Sequence, residues 1–387
     1  MIREIYLDNS STTKPYDEVV QYIYEVSKDF YGNPSSMHTK GIEAENLVKH
    51  ARVQLADALK VDAKEICFTS GGTESNNLAI IGFLKANPRA GKHIITSEIE
   101  HPSISEVYKQ LACVGYIVDY IPVDSQGIIK LDALRAALES ETALISFIHT
   151  NNETGSIQPI EEINKIRKAI CPAAVLHIDA VQAFGKTRIY PASCNVDLLS
   201  ISSHKIHGPK GMGALYIRKG IKIKPILLGG GQEKSLRSGT ENVPGICGFG
   251  LATEKTFADI NESYTQVSAL KEHFLLNIKK CFEDAMINSP EQASPYIINV
   301  SFPNLKSEVL LHHLEQTNIF VSTGSACSSL KNKHSHVLKA MGVSSKYIDG
   351  AIRFSLSSSN TISDMDETIN ALKEIIPVIS IKRGGKL

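Results

Sequence analysis

The segment 202–211, which reads SSHKIHGPKG, places Lys205 among hydroxyl, imidazole and glycine residues. Lys205 follows the apolar run 198–201, whose composition predicts a strand, so these groups meet at a strand end. An amine in this setting can form an imine with an aldehyde, while Ser202 and His204 can bind a phosphate. Such a lysine is typical of pyridoxal phosphate enzymes. The alternative is a surface lysine near a turn, since lysine is mostly exposed in proteins.

A second polar cluster, TSGGTESNN at 69–77, lies between the predicted strand 65–69 and the predicted helix 74–85. Backbone N–H groups at a helix start, here at Gly72 and Thr73, suit a phosphate, and the hydroxyl of Thr73 adds a further donor. The alternative is a glycine turn followed by an ordinary helix N-cap. This cluster therefore offers a second part of a phosphate site.

Two more polar residues follow predicted strands. His101 comes after the strand 93–97, and its imidazole could stack on a cofactor ring or shuttle protons. Asn152 comes after the strand 143–149 and could hydrogen-bond a ring substituent. The alternatives are a loop histidine and a polar turn. Because ligands bind outside the carboxyl ends of strands in α/β sheets, both positions remain candidates.

Asp179 ends the apolar strand-like run that begins at Val175. A carboxylate there is costly unless it is paired, and a protonated pyridine nitrogen is one suitable partner. Gln182 could then reach the ring oxygen of the same cofactor. The alternative is a structural aspartate that caps the next helix.

Arg353 stands inside the strand-like run 352–355 and would grip a carboxylate at two points. A substrate carboxylate or a structural ion pair would satisfy it. The loop 229–242 is rich in glycine and polar residues, which is typical of segments that serve a site or an interface.

Cys327 lies in STGSACSS at 322–329, among small polar residues, with two lysines and two histidines shortly after it. Such an electropositive setting favours an ionised, reactive thiol, whereas the alternative is an inert one. His334 and His336 fit a solvated loop better than a metal site. We expect no resident metal, with Cys327 as the one residue that could become a transient iron–sulfur ligand.

The composition bounds the class of protein. The chain has 387 residues, with 41 basic and 41 acidic side chains, so its net charge favours neither nucleic acid nor a membrane surface. We expect no membrane span and no secretory signal. The seven cysteines are odd in number and lack CxxC spacing, which favours a reducing cytoplasm over disulfides or zinc.

The order of the predicted elements indicates the fold. Apolar strands alternate with helices up to about residue 250, which predicts an α/β fold with a mostly parallel, covered sheet. After that come a helical stretch over 251–282, strands at 297–302 and 352–356, and helices at 307–317 and near the end. This second part predicts a smaller α+β domain.

These motifs, taken as a set and in this order, resemble the cysteine desulfurases of the NifS/IscS type, within the class V aminotransferase-like enzymes. The resemblance extends from Tyr6 to Arg353 and rests on GTESN at 72–76, HIDAVQ at 177–182, SSHKIHGPKG at 202–211 and GSAC at 324–327. It implies pyridoxal phosphate fold type I, with a mostly parallel seven-stranded sheet. The implied large domain is 16–250, and the small one comprises 1–15 and 251–387.

The resemblance also implies roles. Lys205 would hold pyridoxal phosphate as an imine, His101 would stack on the ring and assist proton transfer, and Asp179 would pair with the ring nitrogen. The further cofactor contacts implied are Gly72, Thr73, Asn152, Gln182, Ser202, His204 and, across a homodimer interface, Thr240. Arg353 would bind the carboxylate of L-cysteine, with Asn33 and Asn152 nearby.

Cys327 would take the sulfur as a persulfide, leave L-alanine, and pass the sulfur to a protein acceptor. The long segment after Cys327 is similar to that of the group with a mobile sulfur-delivering loop. Iron–sulfur cluster assembly and tRNA thiolation are the two candidate pathways, and the short C-terminal tail favours the second. Selenocysteine lyase, ordinary class V aminotransferase and non-catalytic sulfur carrier remain the alternatives.

Overall fold

The computed structural model describes residues 3–323 and 334–380, so Cys327 lies outside the described residues. Twelve strands lie in the described part: β1 (Ile5–Tyr6), β2 (Ile66–Thr69), β3 (His93–Ser97), β4 (Ile117–Ile121), β5 (Thr142–Ile148), β6 (Val175–Asp179), β7 (Leu198–Ser202), β8 (Gly213–Ile217), β9 (Met286–Ile287), β10 (Ile297–Ser301), β11 (Ile319–Phe320) and β12 (Ala351–Ser355).

Seven of these strands form the large sheet, in the order β2-β8-β7-β6-β5-β3-β4. The pairings among β3 to β7 are parallel, whereas β8 runs antiparallel to both of its neighbours. Every residue of β3, β5, β6 and β7 is buried, because helices cover both faces of a parallel sheet. The predicted mostly parallel seven-stranded sheet is confirmed.

The described residues also contain the helices α1 (Asp17–Asp29), α2 (Thr39–Leu59), α3 (Gly72–Asn77), α4 (Phe83–Ala86), α5 (Pro102–Cys113), α6 (Leu131–Ala137), α7 (Ile160–Ile170), α8 (Gln232–Ser235), α9 (Val243–Ala258), α10 (Ile260–Cys281), α11 (Ser307–Gln316), α12 (His336–Ala340), α13 (Ser345–Ile348) and α14 (Ile362–Ile379). A π-helical turn at Leu78–Gly82 joins α3 to α4, so the predicted helix 74–85 is one continuous helical run. None of the described helices is both long enough and apolar enough to cross a bilayer.

The helical stretch predicted over 251–282 is helical in the structure but is interrupted once. The structure has two helices there, α9 and α10, which meet at Asp259, where the backbone leaves the helical region at φ −109° and ψ 14°. Apolar residues continue at helical spacing on both sides of the break, so their pattern does not reveal it. Helix α9 packs on α1 and α2, whereas α10 packs on α14.

A smaller unit is built on the antiparallel sheet β12-β10-β9 and the parallel pair β1-β11. Its apolar core includes Phe274 of α10 and Phe354 of β12, whose rings lie 5.0 Å apart. The division at residue 250 stays a prediction. Because α9 continues to Ala258 against the large core, we propose that the boundary lies at Asp259.

Candidate functional site

A pocket of about 240 Å³ lies at the carboxyl ends of β6 and β7. Asp179 and Ser202 are the last residues of these two strands, so neighbouring parallel strands deliver both to one edge. The structure brings ten of the predicted site residues into its lining: Gly72, Thr73, His101, Asn152, Asp179, Gln182, Ser202, His204, Lys205 and Arg353.

Lys205 projects into the pocket from a 3₁₀ turn, Ser203–Lys205, that directly follows β7. Its Nζ donates hydrogen bonds to the backbone carbonyl oxygens of Ser10, at 2.5 Å, and Ser11, at 2.7 Å. The N-terminal segment therefore holds the amine at the pocket. Motif spacing alone did not assign Ser10 or Ser11 to the site, since their contribution is made by backbone oxygens.

The four residues predicted to bind the phosphate line the same pocket, and together they are called the cradle: Gly72, Thr73, Ser202 and His204. Gly72 begins α3, and a Cβ at this position would lie 2.6 Å from Val181 Cγ2, so only glycine fits. Ser202 Oγ is buried and has no hydrogen-bond partner among the described residues. A buried hydroxyl of this kind needs an acceptor or donor that a ligand can supply. Burial lowers the pKa of His204 to about 4, and the nearby charge of Lys205 acts in the same direction.

Asp179 is a buried carboxylate whose oxygens both accept hydrogen bonds. Asn76 Nδ2 donates to Oδ2 at 2.8 Å, and the backbone N–H of Val181 donates to Oδ1 at 3.0 Å. These donors fix the plane of the carboxylate at the pocket wall. Asn76 was not predicted as a site residue, although it belongs to the quoted cluster 69–77.

His101 is the N-cap residue of α5. The backbone N–H of Ser103 donates to His101 Nδ1 at 3.1 Å, and Ser103 Oγ lies 2.8 Å from the same nitrogen. A backbone N–H can only donate, so Nδ1 is the acceptor and the proton of the neutral ring sits on Nε2. Burial is the main cause that lowers the pKa of His101, and Lys205 and His336 lower it further, while Asp179 opposes them. The ring is therefore neutral near pH 7.

A hydrogen-bond chain links His101 to the carboxylate of Asp179. Asn76 Nδ2 donates to Ser103 Oγ at 2.8 Å as well as to Asp179. The hydroxyl of Ser103 can in turn donate a hydrogen bond to His101 Nδ1. One amide group thus sets the orientation of two pocket residues from different elements.

Arg353 projects from β12 and is almost fully buried. Its Nη2 donates to Asp8 Oδ1 at 2.8 Å and to Ser11 Oγ at 2.6 Å, while Nη1 donates to the carbonyl of Asn152 at 2.9 Å. The alternative of a structural ion pair is therefore realised with Asp8. Nε has no partner among the described residues, so the guanidinium retains a donor for a further anion.

The structure does not bring Asn33 or Thr240 into the pocket of this chain. Both are exposed, and Asn33 Oδ1 accepts from the backbone N–H of Ser35 within its own turn. Thr240 was predicted to reach the phosphate of a partner subunit, and that contact stays a prediction. No group of three or more metal-ligating side chains is found in the described ranges.

The loop 229–242 that carries Thr240 is anchored by two ion pairs. Both carboxylate oxygens of Glu233 accept from Arg52, at 2.6 and 2.8 Å, and Arg237 Nε donates to Glu74 Oε1 at 2.9 Å. Residues 233–235, which make up most of α8, all have positive φ, between 46° and 65°, so α8 is a left-handed turn, which is unfavourable for non-glycine residues. The ion pairs stabilise this conformation, and Glu74 directly follows Thr73, which lines the pocket.

The comparisons with known proteins agree with this geometry. A family model described as aminotransferase class-V matches residues 5–368. Cysteine desulfurase IscS of Dictyoglomus turgidum is 43% identical over 377 residues, which is 97% of this chain and 95% of the relative. A solved structure of a NifS-like protein has a TM-score of 0.92 at 38% identity and covers 97% of this chain and 100% of its own.

A second solved structure, SspA in complex with cysteine, has a TM-score of 0.81 at 34% identity and covers 91% of this chain and 98% of its own. The matches extend over the described fold and over nearly the whole sequence. This chain therefore belongs to the class-V aminotransferase family, among the cysteine desulfurases of the NifS/IscS type.

Proposed function

We propose that this protein is a pyridoxal-phosphate-dependent cysteine desulfurase, which converts L-cysteine to L-alanine and transfers the sulfur to Cys327. The observation that carries the proposal is the pocket itself, because it gathers an amine, a carboxylate and a guanidinium at one sheet edge. These groups belong to Lys205, Asp179 and Arg353. The relatives named cysteine desulfurase support the same activity.

The residues present fit pyridoxal phosphate. Lys205 supplies the amine for the aldehyde carbon, and Asp179 supplies an anion for the ring nitrogen. The cradle of Gly72, Thr73, Ser202 and His204 accommodates the phosphate, since Ser202 Oγ is buried without a partner among the described residues. When bound, the cofactor would withdraw electrons from the α-carbon of the substrate.

The protein's own groups would then move protons. Lys205 would move the α-proton of cysteine, and the carbonyls of Ser10 and Ser11 would keep the amine at the pocket. His101 lines the same pocket as a neutral imidazole with its proton on Nε2, so it can donate that proton but carries no charge of its own.

Arg353 would bind the substrate carboxylate, assisted by Asn152, which lines the same pocket, whereas Asn33 of this chain lies outside that pocket. The buried Nε, which has no partner among residues 3–323 and 334–380, supports this role, as does the solved complex of the relative SspA with cysteine. Asp8 accepts a hydrogen bond from Nη2 of Arg353, and its carboxylate would balance the charge of the guanidinium when no substrate is bound.

Cys327 would accept the sulfur, and the described residues on either side of 324–333 adjoin the pocket. The backbone of Ser322 exchanges hydrogen bonds with that of Arg353, at 3.1 and 2.7 Å, and His336 Nε2 lies 3.0 Å from the carbonyl oxygen of Glu100, next to His101. Cys327 is five residues beyond Ser322, a span of at most ~18 Å. Its thiolate would attack the substrate sulfur, break the C–S bond and become a persulfide.

We also propose a homodimer in which Thr240 of the anchored loop 229–242 completes the partner's phosphate site. The persulfide would pass to an acceptor protein of iron–sulfur cluster assembly or tRNA thiolation in the cytoplasm. The exposure of Thr240 supports the interface.

The test is to incubate the protein with pyridoxal phosphate and cysteine, then to measure alanine and the mass of each cysteine-containing peptide. We expect alanine, with one added sulfur on the Cys327 peptide. Cys327→Ser should abolish alanine formation, and Cys113→Ser, which changes an exposed cysteine elsewhere, should not. Full alanine formation by Cys327→Ser would contradict the sulfur role. Activity with selenocysteine alone, or transamination of alanine with a keto acid, would favour the alternatives.

A further inference from the structure

Lys186 is a buried amine that the proposed reaction does not use. Its side chain is 5% exposed, and no carboxylate among the described residues lies within ion-pair distance of it. It follows Gly185, where φ is +72° and a Cβ would lie 2.5 Å from Ile206 Cγ2. This tight turn, which only glycine allows, carries Lys186 inward beneath the pocket. A buried amine without a counter-ion is costly, so its position requires a reason.

The contact of Lys186 supplies that reason. Nζ donates to Gln182 Oε1 at 2.8 Å, and Gln182 Nε2 donates to the carbonyl of Ser10 at 2.8 Å. Lysine has donors and no acceptor, so it can face only the oxygen of an amide. Gln182 Nε2 has a second N–H, which has no partner among the described residues, and Gln182 lines the pocket.

We propose that Lys186 is a positioning residue that holds the amide of Gln182 with its oxygen turned away from the pocket and an N–H directed to the cofactor's ring oxygen. The inference rests on the proposed function, since that oxygen belongs to pyridoxal phosphate. A donated hydrogen bond favours the ionised form of an oxygen. A flipped amide would instead present its own oxygen to an anion and disfavour that form.

The surroundings of Lys186 are compatible with this role. Burial, with the charges of Lys205 and Arg353 acting in the same direction, lowers the pKa of Lys186 to about 7. Burial lowers the pKa of His207 and the charge of Lys186 acts in the same direction, while the ring centroid of Tyr296 lies 5.7 Å from Lys186 Nζ. The protonated amine has donors only, so it fixes the amide orientation, whereas the neutral amine also has a lone pair that could accept from the amide N–H.

The experiment is a pH titration of the visible absorbance of the bound cofactor. Lys186→Met removes the donor, and we expect the pKa of the cofactor chromophore to rise by about one unit, equivalent to the loss of one hydrogen bond to a charged group. Lys186→Arg keeps a side chain with donors and no acceptor and should titrate like wild type. Its chromophore pKa can also be measured if Lys186→Met does not fold.

Two controls separate this role from others. Lys271 is a second buried lysine, which donates to the carbonyls of Ala293 and Ser294, away from the pocket, so Lys271→Met should leave the chromophore pKa unchanged. In a Gln182→Leu background, Lys186→Met should have no additional effect on that pKa. An equal shift in both backgrounds, or none in either, would overturn the proposal. A wild-type protein that binds no pyridoxal phosphate would instead refute the proposed function.

Discussion

Asn76 stabilises two pocket residues with one amide group, and its removal should therefore be costly. Asn76→Ala deletes a hydrogen bond to the hydroxyl of Ser103 and another to the carboxylate of Asp179, each at 2.8 Å and buried. A neutral bond contributes about 1 kcal/mol and one to a charged group about 2 kcal/mol. We therefore expect the free energy of unfolding to fall by about 3 kcal/mol.

The assay compares the cofactor-free variants by urea unfolding and by hydrogen exchange of the amides in α3 and β6. Asn77→Ala is the matched control, because Asn77 is the next residue on the same helix and its Nδ2 bonds only backbone carbonyls, those of Thr73 and Ser103. We expect less than about 1 kcal/mol for the control. If Asn76→Ala costs no more than Asn77→Ala, the hydrogen-bond chain does not hold Asp179.

Two further changes test the site and the core. Arg353→Lys keeps the charge but loses the forked contacts of the guanidinium, including that to Asp8. We expect the KM for cysteine to rise at least about tenfold in steady-state kinetics. An unchanged KM would contradict carboxylate binding by Arg353. Burial lowers the pKa of His177 to about 3 and that of His149 to about 4. As the pH falls below ~6.5, the unfolded state therefore binds protons at these two histidines, whereas the native state does not. The free energy of unfolding should then fall by up to about 1.4 kcal/mol per pH unit for each histidine, and His177→Asn should flatten this dependence, whereas exposed His312→Asn should not.

The pocket could be predicted in large part because parallel strands end at one edge. Polar residues at the ends of apolar runs, such as Asp179 and Ser202, meet at that edge regardless of the conformation of the loops. The resemblance then assigned each a role. The mostly parallel sheet was predictable for the same reason, since its strands are short apolar runs between helices.

Other features depend on contacts that no local pattern records. Strand β8 inserts between β2 and β7, although it lies far from β2 in the sequence, and it was not predicted. Helices α1 and α2 were also missed, because their faces are buried by α9 rather than by the sheet. The hydrogen bond from Asn76 to Asp179 was not predicted, because the two residues are 103 positions apart in the sequence.

The N-terminal segment has a consequence for the order of folding. The backbone N–H of Leu7 donates to Phe320 at 2.8 Å, the N–H of Ser355 donates back to Leu7 at 2.7 Å, and Asp8 binds Arg353. Residues 7 and 8 can therefore find their partners only after the chain has been synthesised at least as far as residue 355. Because the same segment supplies the carbonyls that hold Lys205, the amine can be held at the pocket only after a segment 195 residues away in the sequence has been brought beside it, so the site forms late, with the long-range contacts of the fold.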